Sequence, residues 1–194
     1  NKLMIGTNGG AAIYTELKQF ADTTGHWAVE SISKMAEMAY VKGDSKGFRP
    51  NDSITRAEFV VLLTRILGLV SKDSTLSFID VANGSWYEES IAAAVENGLV
   101  TGYSDGSFRP SGRISRTEIA AILGRVLDIE LSELQVNDTL SAFSDTIAPW
   151  AENSVAAAVR AGIIEGFPDG SFSGTQSATR AQTAVMLMRL LGHQ

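Results

Sequence analysis

One pattern constrains this chain more than any other: a set of landmarks that recurs three times in the same order. Phe20-Ala21-Asp22 returns as Phe78-Ile79-Asp80 and Phe143-Ser144-Asp145, and each triplet is followed by a tryptophan, Trp27, Trp86 or Trp150. Val41-Lys42-Gly43 returns as Val100-Thr101-Gly102 and Ile164-Glu165-Gly166, and a Gly-rich turn then leads to Phe48, Phe108 or Phe172. Thr55-Arg56-Ala57-Glu58 returns as Ser115-Arg116-Thr117-Glu118 and Thr179-Arg180-Ala181-Gln182. The recurring Asp residues are 58 and 65 positions apart, the recurring Arg residues 60 and 64. A unit of about 60 residues buries too little surface to stand alone, so the copies are expected to fold as one body. The repeats span residues 20–70, 78–131 and 143–194. Residues 1–19 form a lead-in, and the polar stretches 71–77 and 132–142 are connectors that absorb the unequal periods.

Each repeat reads as helix, loop, helix, which makes the fold all-α. In the first helix Val29, Ile32, Met35, Ala36 and Ala39 recur at helical spacing with polar residues between them, the pattern of a surface helix with one buried stripe. Ile91, Val95 and Leu99 repeat it, as do Val155, Val159 and Ile163. The second helix is apolar almost all round, from Phe59 to Leu63 with Ile66 and Leu67, from Ile119 to Leu123, and from Ala184 to Met188. A helix of that kind belongs at a centre. Three of them predict a shared three-helix core with the amphipathic helices outside.

Composition excludes several functions. The chain has no Cys, so it has no disulfide, thiolate metal site or Cys nucleophile. Its formal net charge of −6 makes it a poor ligand for nucleic acid. No apolar run approaches the ~20 residues of a membrane span, so no membrane insertion is expected. The turns Ser104-Asp105-Gly106 and Pro168-Asp169-Gly170 lack the oxygen spacing of a calcium loop. No metal and no cofactor is expected. The N-terminal sequence is not a signal peptide. The chain therefore reads as a monomeric module of a larger exported protein.

Thr55-x-x-Glu58 before an apolar run is a capping box, repeated by Ser115 with Glu118 and by Thr179 with Gln182. The Arg inside each box breaks a rule. Arg56, Arg116 and Arg180 stand at the first helical position, where the helix dipole is positive and acidic residues are favoured. A local rule broken in every copy points to function. An anion there would be held by free backbone N–H groups, the dipole and a guanidinium together, and a carboxylate suits that set best. The structural alternative is a salt bridge to a neighbouring carboxylate.

The other recurring residues carry two readings each. Asp22, Asp80 and Asp145 either cap the first helix or form an Asx-turn, or they accept from sugar hydroxyls. Trp27, Trp86 and Trp150 either anchor the core or stack at a groove edge on the apolar face of a sugar. Gly43, Gly102 and Gly166 either close the first helix at positive φ or let a ligand approach the backbone. Arg65, Arg125 and Arg189, near the ends of the second helices, read as structural partners of the dipole.

These motifs together resemble the S-layer homology domain, found as a triplet in cell-surface proteins of Gram-positive bacteria. The resemblance rests on Phe-x-Asp with a following Trp, on Gly98-Leu99-Val100-Thr101-Gly102-Tyr103-Ser104-Asp105-Gly106-Ser107-Phe108-Arg109-Pro110, and on Ile54-Thr55-Arg56-Ala57-Glu58, and it runs from Phe20 to the C-terminal end. It implies a pseudo-threefold, three-pronged domain around a central three-helix bundle. It also implies an extracellular, wall-bound location. Grooves between the prongs would bind secondary cell-wall polysaccharide through a terminal pyruvylated N-acetylmannosamine, whose pyruvate ketal carries a carboxylate. By motif match, Arg56, Arg116 and Arg180 would take the carboxylate. Asp22, Asp80 and Asp145, with Trp27, Trp86 and Trp150, would contact the sugar, and Gly43, Gly102 and Gly166 would admit it.

The copies differ. The first loop is one residue shorter and has Lys46 where Asp105 and Asp169 stand, Ala39 replaces Gly98 and Gly162, and the third copy has Ser173-Gly174 for Arg-Pro and Gln182 for Glu. The grooves are expected to bind unequally, the third copy least. Two other functions compete. A wall-polysaccharide enzyme is disfavoured because neither His26 nor His193 recurs and threefold repetition suits multivalent binding. A protein-assembly scaffold would instead salt-bridge the three N1 arginines.

Overall fold

The computed structural model describes residues 2–5, 13–16, 20–73 and 75–193. Two short strands, β1 (Lys2–Ile5) and β2 (Ile13–Glu16), pair antiparallel in the lead-in. The rest is mainly helical, as the patterning predicts: α1 (Val29–Glu37), α2 (Arg56–Leu67), α3 (Glu88–Glu96), α4 (Arg116–Leu127), α5 (Glu133–Leu140), α6 (Glu152–Arg160) and α7 (Arg180–His193). Among the described residues no helix is long and apolar enough to cross a membrane.

The three second helices, α2, α4 and α7, start from a closed ring of backbone hydrogen bonds. Ile54 N–H donates to the Ala178 carbonyl (3.0 Å), Ala178 N–H to that of Ile114 (2.9 Å), and Ile114 N–H to that of Ile54 (3.2 Å). All three ring residues are buried. Each stands just before its capping Thr or Ser, so the ring sets three helix N-termini around one axis. Helix packing follows the same cycle. Helix α2 packs on α3, α4 on α6, and α7 on α1, so each core helix lies against the first helix of the next repeat and the last closes on the first. The buried side chains of all three copies belong to one cluster, including Phe59, Leu63, Ile119, Leu123, Met186 and Leu187. A repeat removed from this cycle would expose the faces that its neighbours cover. Close approach of α4 and α6 uses Gly124, where a Cβ would fall 2.6 Å from the Ser154 backbone.

The first helices end in Schellman turns, closed by bonds such as Tyr40 N–H to Met35 C=O (2.9 Å) and Leu99 N–H to Ala94 C=O (2.9 Å). The left-handed residue of each turn is Ala39 (φ 60°), Gly98 (φ 69°) or Gly162 (φ 69°). Gly43, Gly102 and Gly166 therefore do not close the helix, which corrects that reading. A Cβ on Gly43 would lie 2.6 Å from the Phe20 ring and 2.8 Å from the Gly47 carbonyl, and Gly166 meets Phe143 and Ser171 in the same way. These glycines let the Phe of each Phe-x-Asp triplet press against the loop.

The connector 132–142 holds a helix that its polarity concealed. Helix α5 begins with a capping box of its own, Ser132 with Gln135, and packs on α6.

Candidate functional site: the inter-repeat grooves

The capping boxes form as the sequence indicates. Thr55 Oγ1 accepts from Glu58 N–H (3.2 Å) and Glu58 Oε2 from Thr55 N–H (2.8 Å), and Ser115 and Glu118 repeat this. The remaining helix N-terminal amides are not free, however. Arg56 N–H donates to the Gly112 carbonyl and Ala57 N–H to that of Pro110. Arg116 and Thr117 donate to Gln176 and Gly174, and Arg180 and Ala181 to Asp52 and Pro50, all at 2.8–3.0 Å. The expectation that an anion is held by free backbone N–H groups is thereby corrected. The next repeat's loop has taken those donors, and only the guanidinium is left to meet a ligand.

Each guanidinium crosses into the neighbouring repeat. Arg56 lies over the rings of Phe108 (4.8 Å) and Tyr103 (5.3 Å), Arg116 over Phe167 (4.6 Å) and Phe172 (5.2 Å), and Arg180 over Phe48 (4.8 Å). Arg56 Nη2 donates to the Thr101 carbonyl (3.0 Å), and its Nη1 pairs with Glu118 (3.3 Å). Arg180 Nε donates to the Phe48 carbonyl (2.8 Å), and its Nη1 pairs with Glu58 (3.6 Å). Arg116 donates through Nε to Phe172 (3.0 Å) and through Nη2 to Glu165 (2.7 Å), both backbone carbonyls, and has no ion pair among the described residues. Burial pulls the guanidinium pKa values of Arg116 and Arg180 down, opposed by Asp145 for the first and chiefly by Glu58 for the second. An arginine stays charged through such a shift, so both present a poorly hydrated cation.

Three grooves result. The Arg180 groove, of about 470 Å³, is lined by Lys42, Glu58, Arg65 and Trp86. The Arg56 groove, of about 210 Å³, is lined by Gly102, Tyr103, Glu118, Arg125 and Trp150. The Arg116 groove, of about 500 Å³, is lined by Gly166, Phe167, Gln182, Arg189 and Trp27. Every groove thus takes its arginine from one repeat, its loop from the next and its tryptophan from the third. The tryptophans are 63–66% exposed, so the core-anchor reading fails and they stand at groove edges.

The aspartates are not brought into the grooves. Asp80 accepts from the amides of Phe108 (2.7 Å) and Arg109 (2.8 Å), Asp22 from Phe48 and Arg49, and Asp145 from Phe172 and Ser173. In each pair the second amide belongs to a left-handed residue, Arg49, Arg109 or Ser173. Nor do these aspartates cap the first helix, whose N-cap in the first copy is Ala28 with no side-chain bond. They clamp the loop whose carbonyl, at Phe48 or Phe172, receives the arginine. Burial raises the Asp22 carboxyl pKa, and the amides of Phe48 and Arg49 with the Arg180 charge more than offset it, so the group lies below its ordinary value.

The second arginine of each groove, read from the sequence only as a partner of the helix dipole, also lines the groove. Arg65 Nη1 donates to the Tyr40 carbonyl (2.9 Å), Arg125 Nη1 to that of Leu99 (3.0 Å), and Arg189 pairs with Glu165 (2.9 Å). Their signal was present, since each follows its N1 arginine by nine residues in all three copies.

The S-layer homology domain matches residues 19–60, 77–120 and 144–184 of the chain. The chain belongs to the S-layer homology family. Domains of this family anchor surface proteins to the bacterial cell wall. It is similar to an amylopullulanase of Thermoanaerobacterium thermosulfurigenes, at 37% identity over 90% of this chain and 10% of the relative. It is also similar to a cellulosome-anchoring protein of Acetivibrio thermocellus (32%; 78% of this chain, 35% of the relative) and to the S-layer protein sap of Bacillus anthracis (32%; 89% and 21%). The S-layer homology chain thus spans about a tenth to a third of the length of these relatives. Relatives named as enzymes and as surface proteins share this one region.

Proposed function

We propose that this triplet holds the protein that carries it on the outside of a bacterial cell wall, by binding secondary cell-wall polysaccharide through terminal pyruvylated N-acetylmannosamine in the inter-repeat grooves. The observation that carries the reading is the pairing, in each groove, of a sequestered guanidinium with an exposed tryptophan from a different repeat. A carboxylate on a ketal fits the guanidinium, and the flat apolar face of a sugar fits the indole. Arg56, Arg116 and Arg180 contact the carboxylate. Trp27, Trp86 and Trp150 contact the sugar, with Gly102 and Gly166 in the groove walls. Asp22, Asp80 and Asp145 act indirectly, by fixing the loop that positions each arginine. Repetition of the site gives avidity on a polymer that offers many chain ends.

Co-sedimentation with purified cell-wall sacculi tests this. The chain is expected to pellet with sacculi that retain their polymer and to remain in solution with sacculi stripped of it by hydrofluoric acid. Equal pelleting with both would overturn the reading.

A further inference from the structure

The grooves differ most where Gln182 stands. We propose that the Arg116 groove is the main anion site, with Gln182 contacting the ligand there, and that Glu118 occupies the corresponding position in the Arg56 groove itself. This rests on the carbohydrate reading above.

In the first two copies the N3 glutamate divides its oxygens. Glu58 Oε2 accepts from Thr55 N–H (2.8 Å), and Oε1 faces Arg180 at 3.6 Å. Glu118 Oε2 accepts from Ser115 N–H and hydroxyl (2.8 Å each), and Oε1 takes Arg56 at 3.3 Å and the Tyr103 hydroxyl. The third copy spends its only acceptor on the cap, since Gln182 Oε1 accepts from Thr179 N–H (3.1 Å). Its Nε2 therefore holds the place that Oε1 has in the other copies. An amide nitrogen only donates. Among the described residues it has no acceptor.

Arg116 lies across the same groove and is 3% exposed. Its Nε and Nη2 are used by the Phe172 and Glu165 carbonyls, while Nη1 has neither a hydrogen bond nor a carboxylate among the described residues. The groove thus carries two open donors and a positive charge where the other two grooves supply a carboxylate from within. Neither nitrogen is sealed from solvent, so both donors are open to a ligand, and an incoming carboxylate would supply the acceptor and the counter-charge that this groove lacks among the described residues. Space separates this groove, at about 500 Å³, from the Glu118 groove at about 210 Å³ but not from the Arg180 groove at about 470 Å³, so the absence of an internal carboxylate among the described residues is what sets it apart. The proposal inverts the ranking expected from the sequence, in which Gln182 reads only as a weaker cap.

The test is calorimetric titration of the full chain with a pyruvylated N-acetylmannosamine glycoside. Gln182→Glu restores the internal carboxylate and keeps the capping acceptor, so Tm should hold or rise. Affinity at the strongest site should fall about 10- to 100-fold, the worth of one charge-assisted hydrogen bond. Glu118→Gln should do the reverse and raise the number of glycosides bound. If Gln182→Glu binds as the parent does, or if Arg56→Ala costs more than Arg116→Ala, the ranking is wrong and the anchoring reading stands. If the parent binds no glycoside, both fall.

Discussion

Ala39 occupies the left-handed position that Gly98 and Gly162 hold in the other copies, and it does so at φ 60°. An L-residue there costs about 1–2 kcal/mol. Ala39→Gly removes that cost and loses about 0.4–1 kcal/mol to the greater freedom of glycine in the unfolded chain. Ala39 is exposed, so losing its methyl forfeits little burial. The net gain is about 0.5–1 kcal/mol, which for a chain of this length raises Tm by about 1–4 °C. The mirror experiment is available in the same molecule. A Cβ on Gly98 or Gly162 meets nothing within 4 Å, so Gly98→Ala and Gly162→Ala should each lower stability by that same amount through backbone conformation alone. Scanning calorimetry of the three variants checks this. A lower Tm for Ala39→Gly, or an unchanged one for Gly98→Ala, would refute the assignment of strain to this turn.

Replacing Trp86 or Trp27 by Ala should leave Tm within about 1–2 °C of the parent, because these rings are already exposed, while weakening retention on sacculi. Gly166→Ala should cost about 1–3 kcal/mol, because its Cβ would fall 2.6 Å from the Phe143 ring and 2.9 Å from the Ser171 carbonyl, and a fall in Tm would report it. Acid should destabilise the fold. Asp105 is held below its ordinary value of 3.8 by the Ser107 hydroxyl and amide and by Arg109, and Asp169 by Ser171. A carboxyl lowered in the folded state stabilises fully above its unfolded value and loses that contribution as pH falls through the folded one. Tm should therefore stay level from neutral to about pH 5 and drop below about pH 4. A Tm that rose in acid would contradict the assignment.

Much of what depends on local chemistry was legible in the sequence. Capping boxes, amphipathic stripes and the apolar second helices follow from side-chain spacing, and the structure has them where the pattern puts them. The misplaced N1 arginines were legible as an anomaly, and they do line the grooves. Their surroundings were not, because the amides of Arg56 and Ala57 are taken by Gly112 and Pro110, more than 50 residues away. Partnering of that kind is a property of the closed ring and leaves no local signal. The same holds for Asp80, which reads as a helix cap until its carboxylate is seen on the Phe108 and Arg109 amides. It holds too for Gly102, whose neighbour Phe78 lies in a different segment of the repeat. Helix α5 and the second arginines are a different kind of miss. Ser132-x-x-Gln135 and the nine-residue offset of Arg65, Arg125 and Arg189 from the N1 arginines were visible, and polarity and the helix dipole offered explanations that were sufficient but incomplete.

The central claim is that a guanidinium in a groove between repeats recognises a carboxylate borne on a sugar. It is tested most directly by titrating the chain with N-acetylmannosamine glycosides that differ only in the pyruvate ketal. Binding of the pyruvylated glycoside with heat proportional to groove occupancy, and none of the unmodified sugar, is the predicted result. Equal binding of both would contradict it.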